Sequence, residues 1–276
     1  MYRLQNLHSH TLYCDGLLSP EDMIIAAINR GCDSFGFSGH SYAPHDTGCS
    51  MTPDDTIKYF EEYAQLKSKY AEKIDLFLGI EQDYYTDIVT GLPNSPPDYS
   101  IGAVHDLLTG DIFSCIDSSE RSQKRVCDEY FNGDYYAMAE CYYETMADVI
   151  NKTGADIVAH FDLIAKYNQG GKFFDETNSR YVASALTAMD EILKNHNLFE
   201  VNTGAMYKLG RQEPYPSLLL LKELRIRGGE VILSSDSHDG ESIGYKFDDM
   251  KELLKHCGFK YVKQLTVNGF IDVLLT

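Results

Sequence analysis

An α/β fold on a parallel sheet is predicted by three observations. Seven short apolar runs recur along 276 residues, amphipathic stretches separate them, and the first two of those stretches open with helix start signals. Seven strand–helix repeats imply either a barrel-like closure or a long open sheet. The length, with no linker, internal repeat or low-complexity tract, is read as one domain spanning 1–276.

The elements follow in order. YRLQNLHSH (2–10) is the first run, rich in aliphatic and aromatic residues and short enough for a buried strand. Ser19-Pro20-Glu21-Asp22 then offers an N-cap, a proline at the first helical position and acid in the first turn; the helix stops at Gly31. DSFGFSGH (33–40) is the second strand, and Thr52-Pro53-Asp54-Asp55 repeats the start signal before a helix to about Lys73. DLFLGIEQD (75–83) and YSIGAVHD (99–106) are the third and fourth strands. Residues 107–132 are polar and irregular in pattern and are expected to form a loop over the mouth. A helix near 133–153 leads to ADIVAHFD (155–162), one near 177–196 to LFEVNTG (198–204), and one near 214–227 to GEVILSSDSHD (229–239). A last helix is expected at 247–257.

Composition narrows the function. With 42 acidic and 24 basic side chains the net charge is −18, which repels polyanions and argues against a nucleic-acid groove. No signal peptide or eighteen-residue apolar run is found, so neither secretion nor a membrane span is expected. The seven cysteines include no CxxC pair and are expected to be reduced thiols of a cytoplasmic protein.

The ends of the runs carry the chemistry. They finish in His8-x-His10, His40, Glu81, His105, His160, Glu200-Val-Asn202 and Asp236-x-His238. In a parallel barrel those ends share one rim, where active sites sit. Residues i and i+2 of a strand point the same way, so His8 and His10 can both face inward. Imidazoles with carboxylates suit Zn²⁺, Mn²⁺ or Fe²⁺, and this many ligands exceeds one tetrahedral site, so two or three ions are expected. Asp15 follows in the first loop. Asp83, Asp106, Asp162 and Asp239 trail the ligands and either orient imidazoles or start loops. Alternation leaves open whether Glu200 or Asn202 faces the lumen, and His45 reads either way. His196 and His256, at helix C-termini, are explained by the helix dipole. Lys166, Lys208 and Arg211 can reach the mouth to bind phosphate, with Arg211 first because its fork matches phosphate geometry; Tyr42 and Tyr207 are candidates to stack on an aromatic substrate.

These motifs (HSH with Asp15, GFSGH, GIEQD, GAVHD, AHFD, EVNTG, SSDSHD) resemble those of the polymerase-and-histidinol-phosphatase (PHP) family from residue 6 to about 240. HFDLIAKYN (160–168) and VNTGAMYKLGRQEPYPS (201–217) resemble its histidinol-phosphatase branch. The resemblance implies a distorted seven-stranded (β/α)7 barrel, TIM-barrel-like, with a trinuclear centre. His8, His10, Glu81 and Asp236 would hold one ion. Glu81 would bridge to a second held by His105 and His160, and Asp15, His40 and His238 would hold the third. Many members have histidine where Asp15 stands, which makes that third set harder.

The expected reaction is hydrolysis of L-histidinol phosphate by a metal-activated hydroxide, with Glu81 linking the ions and Asp236 or His238 protonating the leaving alkoxide. The rivals are another PHP phosphoesterase for a small phosphate, a metal hydrolase of the amidohydrolase type, and a non-catalytic metal module. No lysine ends a strand as the second would want, and the excess of ligands over one closed site opposes the third.

Overall fold

The computed structural model describes residues 3–86 and 96–275. In chain order its regular elements are β1 (Gln5–Asn6), α1 (Pro20–Asn29), β2 (Ser34–His40), α2 (Pro53–Tyr70), β3 (Asp75–Asp83), β4 (Tyr99–Ala103), β5 (Asp106–Thr109), β6 (Ile112–Cys115), α3 (Glu120–Tyr130), α4 (Tyr135–Ala147) and α5 (Val149–Thr153). Then come β7 (Ile157–Val158), α6 (Ser179–Ile192), β8 (Leu198–Asn202), α7 (Gly204–Leu209), α8 (Leu218–Ile226), β9 (Glu230–Ser234), α9 (Phe247–His256), β10 (Tyr261–Thr266) and β11 (Gly269–Leu274). Seven strands run parallel in the order β1-β2-β3-β4-β7-β8-β9. The seam between first and last strands is closed beyond the ladders by one parallel bridge, Ser9 to Ser237. There the His10 amide donates to the Ser237 carbonyl at 2.8 Å and the Ser237 amide to His8 at 3.1 Å. The sheet is a distorted barrel.

The helix start signals act as read. The Asp22 amide donates to the Ser19 hydroxyl and the Asp55 amide to Thr52, each at 3.1 Å, with proline next in both helices. Three apolar layers result. One lies between α1, α2 and the outer face of β2 and β3; a second lies under the remaining helices; a third fills the barrel itself. Tyr99 dominates the lumen, donating its hydroxyl to the carbonyls of Leu7 and Phe37. A Cβ at Gly36 or Gly79 would sit 2.4 or 2.3 Å from its atoms, so this ring requires glycine on the adjacent β3 and on β2 beyond it.

Two expectations change. Residues 107–132 are not an irregular loop: β5 and β6 form an antiparallel hairpin turning at Gly110-Asp111, and α3 follows, capped by Ser119. The first strand pairs only through Gln5 and Asn6, so His8 and His10 lie past its end, and Tyr2 falls outside the described residues. The C-terminal β10–β11 hairpin, with no counterpart in the expected repeats, packs on the barrel floor. Gln5 donates its amide to the Leu265 carbonyl at 2.9 Å and accepts from the Leu265 amide at 2.8 Å, and Leu265 completes the lumen layer.

Candidate metal centre

The C-terminal ends of the parallel strands carry their polar side chains into one mouth. His8 Nε2 lies 3.1 Å from Glu81 Oε2 and 3.7 Å from Asp236 Oδ1, and His10 Nε2 lies 3.4 and 3.3 Å from the same two atoms. His40 Nδ1 is 3.1 Å from Glu81 Oε2; His105 and His160 approach Glu81 Oε1 at 3.3 and 3.1 Å. Asp15 meets His238 Nε2 at 3.0 Å, His10 Nδ1 at 3.4 Å and His40 Nε2 at 3.6 Å. All nine expected ligands therefore share one cluster, with Glu81 at its centre.

Among the described residues four sets of donors come within coordination reach, three of them in this cluster: His10, Asp15, His40 and His238; His8, His10 and Asp236; and His40, Glu81 and His105. His160 joins none of the three and meets the cluster through Glu81. The first of the three contains the triad expected for a third ion, with His10 added. The last brings His40 toward His105, so His40 stands between two sets. Among the described residues the buried atoms His8 Nε2, His10 Nε2, Asp15 Oδ1 and Glu81 Oε2 make no hydrogen bond, although Glu81 Oε2 lies 3.1 and 3.4 Å from the two imidazole nitrogens. Buried polar atoms are rarely left so, and imidazoles with carboxylates aimed at one point fit divalent transition-metal cations.

The crowding of the cluster pushes its titratable groups in opposing directions. Burial pushes the Glu81 carboxyl up, but His8, His40 and His105 overcome this and hold it well below the ordinary value. Burial lowers His8, yet Glu200, Glu81 and Asp236 raise it well above the usual imidazole range. Burial, with His238 and His40 beside it, lowers His10 to about 3. Asp236 adopts a left-handed φ of +46°, uncommon for a residue with a Cβ and concentrated at functional sites. Gly204 packs against it: a Cβ there would lie 2.9 Å from that of Asp236.

Around the donors lies a supporting layer. Glu200 faces inward and is buried; its Oε2 meets His8 Nδ1 at 2.8 Å and the Ser234 hydroxyl at 2.5 Å, while Oε1 accepts from the His160 amide at 2.6 Å and from Asn202 at 2.8 Å. Both Glu200 and Asn202 are buried, because β8 is covered on both sides. The four trailing aspartates divide. Asp83 Oδ2 engages His105 through its backbone amide at 3.0 Å and Nδ1 at 3.2 Å, fixing the ring. Asp106 faces His45 Nε2 at 3.3 Å. Asp162 accepts from the Ser217 amide and Asp239 from the Ser242 amide, so these two organise loops.

Of the expected phosphate-binding cations, Lys166 and Lys208 line the mouth. Lys166 pairs with Asp117 at 3.1 Å, a partner that its sequence position gave no reason to expect. Lys208 donates to His238 Nδ1 at 2.9 Å. Arg211 does not join them. After α7 the chain turns at Gly210 (φ +69°), and the guanidinium is buried against Tyr215 and donates to the Ala165 carbonyl, lining a separate cavity. Tyr207 packs edge-on against Tyr245. His196 contacts the Leu198 carbonyl at 3.2 Å and His256 ends α9, structural positions in both cases.

Comparison with known proteins follows the same line. A PHP domain profile matches residues 6–204. A probable histidinol-phosphatase of Schizosaccharomyces pombe is 28% identical over 91% of this chain and 86% of its own. The histidinol-phosphatase of Bacillus subtilis is 24% identical over 89% and 97%. The crystal structure of histidinol phosphate phosphatase from Lactococcus lactis, complexed with zinc, L-histidinol and phosphate, superposes with a TM-score of 0.70 at 20% identity, covering 98% of this chain and 99% of that one. At that identity it is the fold that is shared.

Proposed function

The chain belongs to the PHP domain family, and from that premise we propose that it is a metal-dependent phosphomonoesterase hydrolysing L-histidinol phosphate to L-histidinol and phosphate. The observation that carries the reading is the convergence of six histidines and three carboxylates on one mouth, with buried donor atoms left unpartnered. Relatives named for this activity, matched over nearly their whole length, supply the substrate.

The residues proposed to hold the ions are His8, His10, Asp15, His40, Glu81, His105, His160, Asp236 and His238, and two or three ions of zinc, manganese or iron fit this set; zinc is the metal of the Lactococcus lactis structure. Divalent cations held there supply Lewis acidity toward the phosphoryl group and generate a nucleophile from water at neutral pH. Glu81, reached by histidines from both sides, links the subsites. Glu200 and Asp83 are positioning residues: each engages an Nδ1, of His8 and His105, and leaves Nε2 to the centre. Lys166 and Lys208 bind phosphoryl oxygens from the rim. The leaving alkoxide takes its proton from water entering beside Asp236 and His238, whose side chains are 19% and 14% exposed and lie beside Lys208; as ion ligands these two orient that donor rather than give up a proton of their own. Arg211, first among the cations by sequence, takes a supporting place behind Tyr215.

We take residues 1–276 as one domain, because the terminal hairpin supplies part of the lumen core. We assign it to the cytoplasm, a reading supported by seven cysteines that are all unpaired; no described helix is long and apolar enough to cross a membrane. Purified, metal-analysed protein should turn over L-histidinol phosphate with a kcat/KM orders of magnitude above that for p-nitrophenyl phosphate or a phosphodiester. Equally slow turnover of all three overturns the substrate while leaving the metal centre. His160→Ala should lose both metal and activity; full metal content would remove it from the ligand set.

A further inference from the structure

A cavity of about 430 Å³ runs from the donor cluster to a wall formed by the loop after β2 and the β5–β6 hairpin. Its size suits one small molecule. At one end stand Asp15, His40, Glu81 and His105, which with divalent ions bound would make a place for a dianion; at the other stand His45, Asp106 and Phe113. The far end is acidic. Asp83 is engaged by His105, and Asp117 by Lys166 at 3.1 Å and by the Cys115 thiol at 3.2 Å. Asp106 is buried, and among the described residues its carboxylate has one ion-pair partner, His45 at 3.3 Å. The His45 ring is held flat against Phe113, centroids 4.1 Å apart and 20° from parallel, and its buried Nε2, the atom facing Asp106, makes no hydrogen bond among the described residues.

Resting on the functional reading above, we propose that Asp106, backed by His45, is the specificity subsite that receives the substrate's ammonium group while the phosphate lies at the donor cluster. A buried carboxylate with so little compensation is costly, and an organic cation arriving in the cavity offsets that cost. Asp83, Asp106 and His45 also lie within coordination reach of one another. A metal taken up by them would compete with His105 for Asp83 Oδ2, whereas an ammonium needs only Asp106 and leaves that contact intact. The hairpin therefore selects for a molecule charged oppositely at its two ends.

The test compares kcat and KM for L-histidinol phosphate and for p-nitrophenyl phosphate, which lacks a cationic nitrogen. Wild type, Asp106→Asn and Asp106→Glu are each assayed, with metal content determined. Asp106→Asn should lower the ratio of the two kcat/KM values by about 10–100-fold, through KM for L-histidinol phosphate, the scale of one charged hydrogen bond. Asp106→Glu should restore part of the ratio. A ratio unchanged in Asp106→Asn, whether both substrates decline together or neither does, overturns the subsite alone. A wild type with no preference for L-histidinol phosphate overturns the functional reading and the subsite with it. If Asp106→Asn fails to retain metal, His45→Ala, on the facing loop, is read against the same two outcomes.

Discussion

At the floor of the barrel, Gln5 exchanges two hydrogen bonds with the Leu265 backbone, and Gln264 bonds to the Arg3 carbonyl. At the mouth, three residues further along, His8 buries an Nε2 that makes no hydrogen bond among the described residues, and His10 does the same. Gln5, Gln264, His8 and His10 are all buried, so exposure does not distinguish them. What differs is satisfaction: the floor closes its polar groups on one another, and the mouth crowds imidazoles and carboxylates around Glu81 with several of their buried atoms in no hydrogen bond among the described residues. A saturated network stabilises and an unsaturated one binds.

The contrast can be broken most severely at its centre. Glu81→Gln removes the carboxylate shared by the histidines of the mouth, and kcat/KM should fall by about 10³-fold, with metal content lost in parallel. Activity within tenfold of wild type would show that the mouth does not depend on that charge. The floor should answer in the other currency. Leu265→Ala hollows the lumen core and should cost about 2–5 kcal/mol of unfolding free energy, read by denaturant titration, with kcat at 25 °C changed by less than about twofold. A large loss of kcat with little loss of stability would erase the division between the ends.

The subtlest test sharpens the contrast through pH. Glu200, Glu81 and Asp236 raise the His8 imidazole above its ordinary value near 6.5. In the cation-free protein, that raised value contributes stability fully present below about pH 6.5 and lost as pH rises through the folded-state value. A metal must displace the same proton, so zinc affinity should rise with pH and binding should release protons, measured by calorimetry in buffers of different ionisation enthalpy. Glu200→Gln removes the charge at His8 Nδ1 and should release fewer protons while weakening zinc about 10–100-fold. Unchanged proton release would detach Glu200 from the centre.

Much of the mouth was legible because a parallel strand can only present its C-terminal end to one rim, so a histidine behind an apolar run is a statement about location. The choice between Glu200 and Asn202 was not legible, since both are buried and alternation sorts only strands with one wet face. The β5–β6 hairpin was hidden by polarity, though Gly110-Asp111 between LLT and IFS is a two-residue turn signal. Val267-Asn268 followed by Gly269 marks the floor hairpin in the same way. Arg211 was misread because distance from a strand end says nothing about direction once α7 and Gly210 have turned the chain.

The Ser9–Ser237 bridge carries one more consequence. It lies between His8 and His10 on one margin and between Asp236 and His238 on the other, so the residues flanking the weakest joint of the hoop are themselves ligand candidates. Any ion shared across that joint fastens the start of the polypeptide to a segment more than two hundred residues away, and stripping it leaves the joint to hydrogen bonds such as those of the His10, Ser237 and Leu17 amides and of the Asn6 side chain.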